Sequence, residues 1–511
     1  MRKIKSHWLI IISMGLAVIT GLIIQRSTEV ETYTGITGEW DEDAFIVTGI
    51  EPSSPAAKSK LKTGDRIVEV IVNKGLHDER SYLLSSEQTI REITPLLPYG
   101  VVARLKTMKG REVAVTVGMT NDCQRAMFLS PFKFVADIFI RLLKMLIVPM
   151  IIFSITTGIT NIGDLGRLGK MGIKTIGYYM LTSVIAAATG LILVNLFKPG
   201  IGAGLGLPPV GAEVFSKQMG FMDIFIRMIP ENIFGAFSFN GNMLQVIFFC
   251  IIMGFAILQL PEKPGSILIN FFEAGFQMMM KLAGFILKLI PYGVFALIVK
   301  VVVTTGFGAF KPLLMFMFVV TIALSFHMFI SLPTLVYLLS KYNPFVWMKK
   351  MSTVLLTALS TSSSSVTLPV TLEVVEKKGG VSNKVSSFVL PLGSTINMDG
   401  TALYECIGVI FLAQYYSSTG DFQLTFANQV YIIIAAVMAS IGAAGIPSAG
   451  LIMMLTILSA LGLPVEGAAI LLAIDRPLDM YRTAVNVFSD TCGTLVIAKS
   501  EGEVLDNDSE G

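Results

Sequence analysis

Charge is what this chain of 511 residues has least of. Lysine, arginine, aspartate and glutamate make up 15% of it, against 53% hydrophobic residues. A soluble domain carries about a quarter charged residues, so the composition excludes an ordinary soluble protein and indicates a polytopic membrane protein. The mean hydropathy of +0.70 agrees. A net charge of +3 is too small to point to nucleic acid or an acidic partner. Cysteine is scarce as well. Cys123, Cys250, Cys406 and Cys492 lie far apart, three of them in apolar segments, so no disulfide framework or CxxC site is implied. With three histidines and no HExxH, a zinc peptidase is unsupported.

What is present begins with Arg2, Lys3 and Lys5 before an apolar run from Trp8 to Ile24. The run is long for the core of a signal peptide and lacks a small-x-small cleavage site. Residues 1–30 are therefore expected to hold a first transmembrane helix, with the basic N-terminus in the cytoplasm. Over residues 31–120 charge returns, and alternating runs at 44–50, 66–72, 101–106 and 112–117 predict strands, with a turn at Met108–Gly110 and a short helix over Ser86–Thr94. This is a small α+β domain, extracytoplasmic after one crossing. Ser53 to Asp65, a Ser-Pro-Ala turn and a Gly-Asp turn about a short helix, resembles a PDZ domain. The resemblance implies capture of an extended peptide by strand addition, with Tyr33 to Ile36 as the carboxylate loop. A spacer or assembly domain blind to peptides fits the same pattern.

Residues 121–498 are mostly membrane, with apolar segments at 131–157, 173–197, 222–259, 272–304, 312–340, 386–414 and 465–498. Arg167, Lys170 and Lys174 follow the second crossing, as a cytoplasmic loop requires. The segment 222–259 is too long for one span and contains Pro230, Gly235 and Gly241, so a break is expected. Two stretches, about 345–377 and 427–463, are apolar hairpins whose tips are rich in serine, glycine and proline. Irregular backbone at membrane depth survives only where protein or a water-filled cavity satisfies it, and a pair of such segments marks the binding site of a secondary transporter. Singly, they also fit a serine-rich loop and small-xxx-small helix packing. A third interruption runs from Pro391 to Thr401, where Asn397, Asp399 and Gly400 break an apolar helix and supply oxygens suited to a hard cation such as Na⁺.

Near the C-terminus, Asp475, Asp479, Arg482, Asn486 and Asp490 recur at spacings of four, three, four and four. They form one polar stripe on an otherwise apolar helix. Such a stripe inside a membrane points to an ion or substrate path.

Together the serine tip (Ser362 to Ser365), Asn397 to Thr401, the second tip (Gly445 to Pro447), the stripe from Asp479 to Asp490, and Tyr178, Tyr179, Thr182 and Ser183 resemble the dicarboxylate/amino acid:cation symporter family, of the glutamate/aspartate transporter type. The resemblance covers the chain except the insert. It implies a transporter and not an enzyme: an α-helical polytopic fold of eight transmembrane helices and two re-entrant hairpins, elevator-type, assembled as a homotrimer. The protein would be multi-pass in the cell (inner) membrane, with both termini cytoplasmic, the insert outside and an acidic tail at 499–511.

The resemblance also implies roles. Arg482 would hold the side-chain carboxylate of an acidic amino acid as a bidentate fork, and Asp479 its ammonium. Thr401, Thr483 and Asn486 would add hydrogen bonds, and backbone near Ser363, Ser364, Ile446 and Gly450 would hold the α-carboxylate. Sodium, the co-transported ion, would be held in three places: by Gly393, Asn397, Asn486 and Asp490; by Tyr179, Thr182, Ser183, Asn397 and Asp399; and by Thr395, Met398, Ser440, Ile441 and Ala443. Asp490 and Met398 favour sodium, since proton-coupled bacterial relatives tend to carry Asn and Leu there. Glu405 matches a glutamate associated with proton co-transport in eukaryotic members, although neutralisation by Arg476 is an equal alternative. Two departures stand out. Archaeal members carry an Arg where this chain has Ser362, and eukaryotic members carry one where it has Met480; here Arg476 lies one turn away.

Other substrates remain open at this point: a C4-dicarboxylate, cystine or a neutral amino acid, with sodium or proton coupling. A peptidase using the serine run lacks a His or Lys base in reach, and a channel is the remaining non-carrier alternative. His327 fits a hydrogen-bonded packing residue better than a proton relay.

Overall fold

The computed structural model describes residues 6–28, 31–41, 43–52, 54–59, 61–72, 80–85, 89–97, 102–120, 123–160, 165–203, 205, 207, 226, 229–238, 243–305, 310–418, 422–441 and 449–505. A first helix, α1 (Ser6–Ser27), leads into the insert. There β1 (Thr32–Tyr33), β2 (Ile36–Asp41), β3 (Ala44–Ile50), β4 (Arg66–Val72), β5 (Arg80–Leu83), the one-turn helix α2 (Ile90–Ile93), β6 (Val102–Thr107), β7 (Glu112–Thr116) and β8 (Gly118–Met119) follow. The main sheet is antiparallel in the order β2-β3-β4-β6-β7, with β5 paired to β4. β1 and β8 pair separately and close the neck of the domain.

The alternating runs at 44–50 and 66–72 are strands with the expected bounds, because Phe45, Val47, Ile67 and Val70 bury one apolar face under α2 residues Ile90 and Ile93. β2 and β5 were not expected from the pattern; a glycine and two acids interrupt alternation in β2. Thr89 starts α2 with a capping box to Glu92. In β1, Tyr33 donates its hydroxyl to Glu51, and that bond pushes the phenol up to about 12.

The helical body follows. Helix α3 (Gln124–Thr160) is 37 residues long, begins seven residues before the apolar segment that announced it, and carries Pro131 and Pro149. At ~1.5 Å per residue it exceeds a ~30 Å hydrocarbon core. Then come α4 (Leu165–Phe197), α5 (Ile233–Ser238), α6 (Met243–Leu258), α7 (Glu262–Leu287) and α8 (Ile290–Thr305). The apolar segment at 272–304 is not one straight span, since α7 and α8 meet at 53°. Next are α9 (Phe310–Phe326) and α10 (Leu332–Ser340), joined by a π-helical turn, His327–Ser331, in which the Leu332 N–H donates to the His327 carbonyl five residues back. Pro333, which has no N–H to give, follows directly.

The remaining helices are α11 (Pro344–Lys350), α12 (Ser352–Thr361), α13 (Ser364–Lys377), α14 (Asn383–Ile396), α15 (Asp399–Ser418), α16 (Phe426–Ile441), α17 (Ala449–Ala460) and α18 (Glu466–Ser500). Among the described residues, Lys170–Phe197, Phe310–Ser340 and Asn383–Ser418 are each long and apolar enough to cross a membrane. Apolar side chains such as Ile267, Phe271, Met278 and Phe285 of α7 face outward, as a lipid-facing surface requires.

Helices α12 and α13 form a hairpin of ten and fourteen residues, and each arm is too short to cross a bilayer alone. Its tip is two residues. Ser362 ends α12 in the left-handed region at φ 52°, and Ser363 caps α13, its hydroxyl accepting from the Val366 N–H at 3.3 Å. Losing that cap should destabilise the chain by about 1 kcal/mol, whereas Ser362→Gly relieves a strain of ~1 kcal/mol. Thermal unfolding in detergent is therefore expected to rank Ser363→Ala below the parent and Ser362→Gly above it; the reverse order would contradict this tip. Helices α16 and α17 pack on each other as the second hairpin's arms, and the predicted tip with Ala443 and Ile446 lies outside the described residues.

Two sets of contacts mark the ends of the helical body. At one, Lys174 of α4 meets Glu501 at 2.7 Å, and Glu503 accepts from both the Ser382 N–H and the Ser382 hydroxyl, with Leu505 buried. At the other, Gly202 donates to the Ser418 hydroxyl at 3.4 Å, Leu207 to the Tyr415 hydroxyl at 3.3 Å, and Arg104 of the insert to the Ser418 carbonyl.

Candidate functional site

The polar stripe is real and buried. On α18, Asp475, Asp479, Arg482, Asn486 and Asp490 are all under 5% exposed. Helical spacing of three and four stacks them on the face that packs against α14 and α15. Arg482 Nη2 lies 2.5 Å from Asp479 Oδ1, and Arg482 Nη1 lies 3.7 Å from Asp475 Oδ1. The Tyr404 ring lies against the guanidinium, 4.3 Å from its carbon, a favourable cation–π arrangement in a desolvated place. Gly450, in the first turn of α17, closes over the same group. A Cβ there would sit 2.8 Å from Arg482 Nη1 and 3.1 Å from Thr401 Cγ2, so only glycine lets the second hairpin approach.

Arg476 is also placed. Its Nη1 lies 3.4 Å from Asp479 Oδ2, so Asp479 sits between two guanidinium groups and Arg482 between two carboxylates. Thr483 donates to the Asp479 carbonyl at 2.8 Å, which leaves its hydroxyl oxygen as an acceptor only. Thr401 accepts from Asn486 Nδ2 at 3.2 Å. Ser363 and Ser364 are buried at the hairpin tip.

The second cluster is built on the break between α14 and α15. Asn397 and Met398 are non-helical, at the break predicted from Asn397, Asp399 and Gly400; Pro391 stays inside α14. Asp399 is wholly buried and gathers four donors: Ser183 at 2.6 Å and Thr182 at 3.2 Å on Oδ1, Ser489 at 2.6 Å and His327 Nε2 at 3.2 Å on Oδ2. Thr182 is also 3.2 Å from Asn397 Oδ1, and its hydroxyl meets the Tyr179 carbonyl at 3.0 Å. Asn397 Nδ2 donates to Asp490 Oδ1 at 2.9 Å. Gly393 lies beside that pair, where a Cβ would meet Asp490 Oδ1 and the Tyr179 hydroxyl at 2.6 Å each.

The groups expected to surround sodium are thus brought together in two of the three predicted sets. Their hydroxyl, amide, carbonyl and carboxylate oxygens are the donors a hard cation takes in place of water. The side chain of Asn486, expected among the substrate hydrogen bonds while its backbone carbonyl was expected at sodium, accepts from the Gly400 N–H at 2.7 Å and donates to Thr401, with Met398 Sδ at 3.3 Å. Of the third set, Thr395 and Ser440 spend their hydroxyl protons on their own helices, at 2.9 and 2.8 Å. The Met398 carbonyl accepts from Thr401 and Ala402 N–H groups. Ile441 ends α16, which packs on α14.

Glu405 lies one turn beyond Thr401 on α15 and is wholly buried. Neither of its carboxylate oxygens has a hydrogen-bond partner among the described residues. Arg476, the neutralising partner considered above, is engaged with Asp479 instead.

Two functional groups were missed in the sequence: Tyr404 beneath Arg482 and Ser489 on Asp399. Ser489 follows the α18 periodicity and could have been found from it, whereas Tyr404 sits on an apolar helix with no local signal. Asp475 was read as part of the stripe without a role, and His327, read as a hydrogen-bonded packing residue, makes that bond to Asp399.

Residues 105–500 match the model of the Sodium:dicarboxylate symporter family. The chain is similar to Excitatory amino acid transporter 3 of Homo sapiens, 35% identical over 433 residues covering 74% of this chain and 82% of the relative. It is also similar to the Proton/sodium-glutamate symport protein of Bacillus caldotenax, 34% identical over 385 residues covering 74% of this chain and 89% of the relative. A third similar protein is an Excitatory amino acid transporter of Caenorhabditis elegans, 33% identical over 426 residues covering 74% of this chain and 83% of the relative.

Proposed function

Because the chain belongs to the Sodium:dicarboxylate symporter family, a family of multi-pass membrane transporters, we propose that it takes up an acidic amino acid, glutamate or aspartate, on the sodium gradient. One observation carries this reading: a buried arginine flanked by two carboxylates, about two turns from a second buried acidic cluster. Two relatives are named for glutamate symport and excitatory amino acids, and the site matches that chemistry.

The Arg482–Asp479 pair is self-neutralising. An acidic amino acid replaces both halves at once: its side-chain carboxylate takes the guanidinium, and its ammonium takes the Asp479 carboxylate so released. A C4-dicarboxylate offers no cation to Asp479, and a neutral amino acid offers no anion to Arg482. Each leaves a buried charge with its weaker partner alone, Asp479 with Arg476 at 3.4 Å or Arg482 with Asp475 at 3.7 Å, which is costly in a desolvated site. Asn486 touches both the substrate-side Thr401 and the broken backbone at Gly400, so it is where sodium binding and substrate binding are coupled. Asp399 with Thr182, Ser183, Tyr179 and Asn397 forms one sodium site; Asp490 with Gly393, Asn397 and Asn486 forms another; Thr395, Met398, Ser440, Ile441 and Ala443 form the third.

The architecture assigned to this chain is eight membrane spans with α12–α13 and α16–α17 as re-entrant hairpins, in a homotrimer in the cell (inner) membrane. The end marked by Lys174 and Glu503 faces the cytoplasm, and the end marked by Arg104 and Ser418 faces outward with the insert. Among the described residues β2 is the end strand of its sheet and lies beside α2, the arrangement by which a PDZ-like domain adds a peptide strand.

Glu405 is assigned to proton co-transport. Its carboxyl is buried without a hydrogen-bond partner, and burial penalises the charged form of such a group. Glu405→Gln is expected to flatten the dependence of uptake on an imposed pH gradient while uptake itself persists. An unchanged dependence would rule Glu405 out. The reading as a whole is tested by uptake of labelled glutamate and aspartate into liposomes with Na⁺, K⁺ and pH gradients imposed one at a time. Uptake that is not saturable, sodium-dependent and concentrative would overturn it.

A further inference from the structure

The insert is joined to the helical body at a place its covalent connections do not explain. It leaves α1 and returns to α3, and these two ends are tied to each other. Arg125, in the first turn of α3, donates to the Gln25 and Thr28 carbonyls at 2.7 Å each and to the Thr28 hydroxyl at 3.1 Å. The β1–β8 pair, Thr32 with Met119 and Tyr33 with Gly118, closes the neck above. The domain is thus fixed on α1 and α3, which pack on α8.

Arg104 reaches elsewhere. It stands on β6, and its Nη1 is oriented by Glu112 of β7 at 3.3 Å. Its Nη2 donates to the carbonyl of Ser418, the last residue of α15. Helix α15 packs on α4, α16, α17 and α18 and carries Asp399, Thr401 and Glu405. The last carbonyls of a helix have no intrahelical donor and carry the negative end of its dipole, so a guanidinium from another domain is a fitting cap.

We propose that the insert is a latch on the transport cycle, with Arg104 holding the outer end of the site-bearing helix α15 to a domain anchored on α1 and α3. This rests on the symport reading above. A symporter exposes its site on alternate sides by moving one bundle against another. A bond between the two bundles favours the arrangement in which it forms and must break for the other.

The test is a reversible link. In full-length protein carrying Arg104→Cys and Ser418→Cys, a short bis-methanethiosulfonate reagent should join the two positions, as read by mass spectrometry, with each single variant as control. The native cysteines are buried. Linking is expected to lower uptake in liposomes at least tenfold, with recovery on reduction. Arg104→Ala, which frees α15, is expected to raise the maximum rate about threefold with glutamate-to-aspartate selectivity unchanged. Failure to link, full-rate uptake by the linked protein, or a rate for Arg104→Ala no higher than the parent's would each overturn the latch. If the unlinked chain takes up no acidic amino acid although the link forms, the symport reading fails, and the latch fails with it.

Discussion

Replacement of Arg482 by threonine or cysteine is expected to abolish uptake of glutamate and aspartate and to admit some neutral amino acids. Removing one member of a buried charge pair costs roughly 2–5 kcal/mol, so kcat/KM for an acidic substrate should fall by at least about thirtyfold. Two features of the site raise that figure. Asp475 and Asp479 both face Arg482, so its loss leaves two carboxylates together in a place that excludes water. The Tyr404 ring also loses the cation that lies against it. Arg482→Lys is not a rescue, because a point charge cannot make the bidentate contact of a planar fork. Competition of unlabelled serine, alanine and cysteine against labelled glutamate measures the change. Glutamate uptake retained within threefold of the parent's would refute the assignment of Arg482.

The second large effect is expected at Asp399. Asp399→Asn keeps the shape but removes the charge, and it turns one of two acceptor oxygens into a donor facing groups that also donate. Ser183 and Thr182 stand on one side, Ser489 and His327 on the other. Whichever way the amide turns, one pair loses its acceptor at about 1–3 kcal/mol, and a sodium ion loses its nearest full negative charge. The sodium concentration for half-maximal uptake should rise by at least about tenfold. Uptake of substrate at saturating sodium should survive better than in Arg482→Thr. An unchanged sodium dependence would show that Asp399 is a structural acid and not an ion ligand.

What could be anticipated, and what could not, follows from how each feature writes itself into a chain. The α14–α15 break was legible because asparagine, aspartate and glycine together inside an apolar run have few uses other than ending a helix. The stripe on α18 was legible because five polar residues keep helical phase. The strands β3 and β4 were legible because one face is buried under α2, which enforces alternation. By contrast, β2 lies at the edge of its sheet, where a polar face is tolerated and the alternation dissolves. The bend between α7 and α8 falls at Lys288 and Leu289, just before Pro291, which has no N–H for the Leu287 carbonyl four residues back, so a local signal for it stood in the sequence. His327 could be read as a hydrogen-bonded packing residue, but its partner was not legible. One histidine on an apolar helix looks like a filler, and only the fold shows that Asp399, 72 residues away, is its partner. Asp475 and Arg476 were visible but unassigned, since a periodic pattern says which face a charge is on and not which of its neighbours it meets.

The wide turn at His327–Ser331 deserves a last consequence. A π turn holds one residue more than the α-helix it interrupts, and each residue of an α-helix advances the azimuth by ~100°. The turn therefore acts as a phase shifter: α9 and α10 share an axis but are indexed differently about it. Deleting a single residue within the turn would restore continuous winding without shortening the span appreciably, by only ~1.5 Å. It would also rotate everything before it against everything after, carrying either His327 off Asp399 or Val336 off the buried face of α10. A helix that tolerates most point changes on its outward face should thus be intolerant of a one-residue deletion there, and the length of this segment is as much a part of the surroundings of Asp399 as any side chain in it.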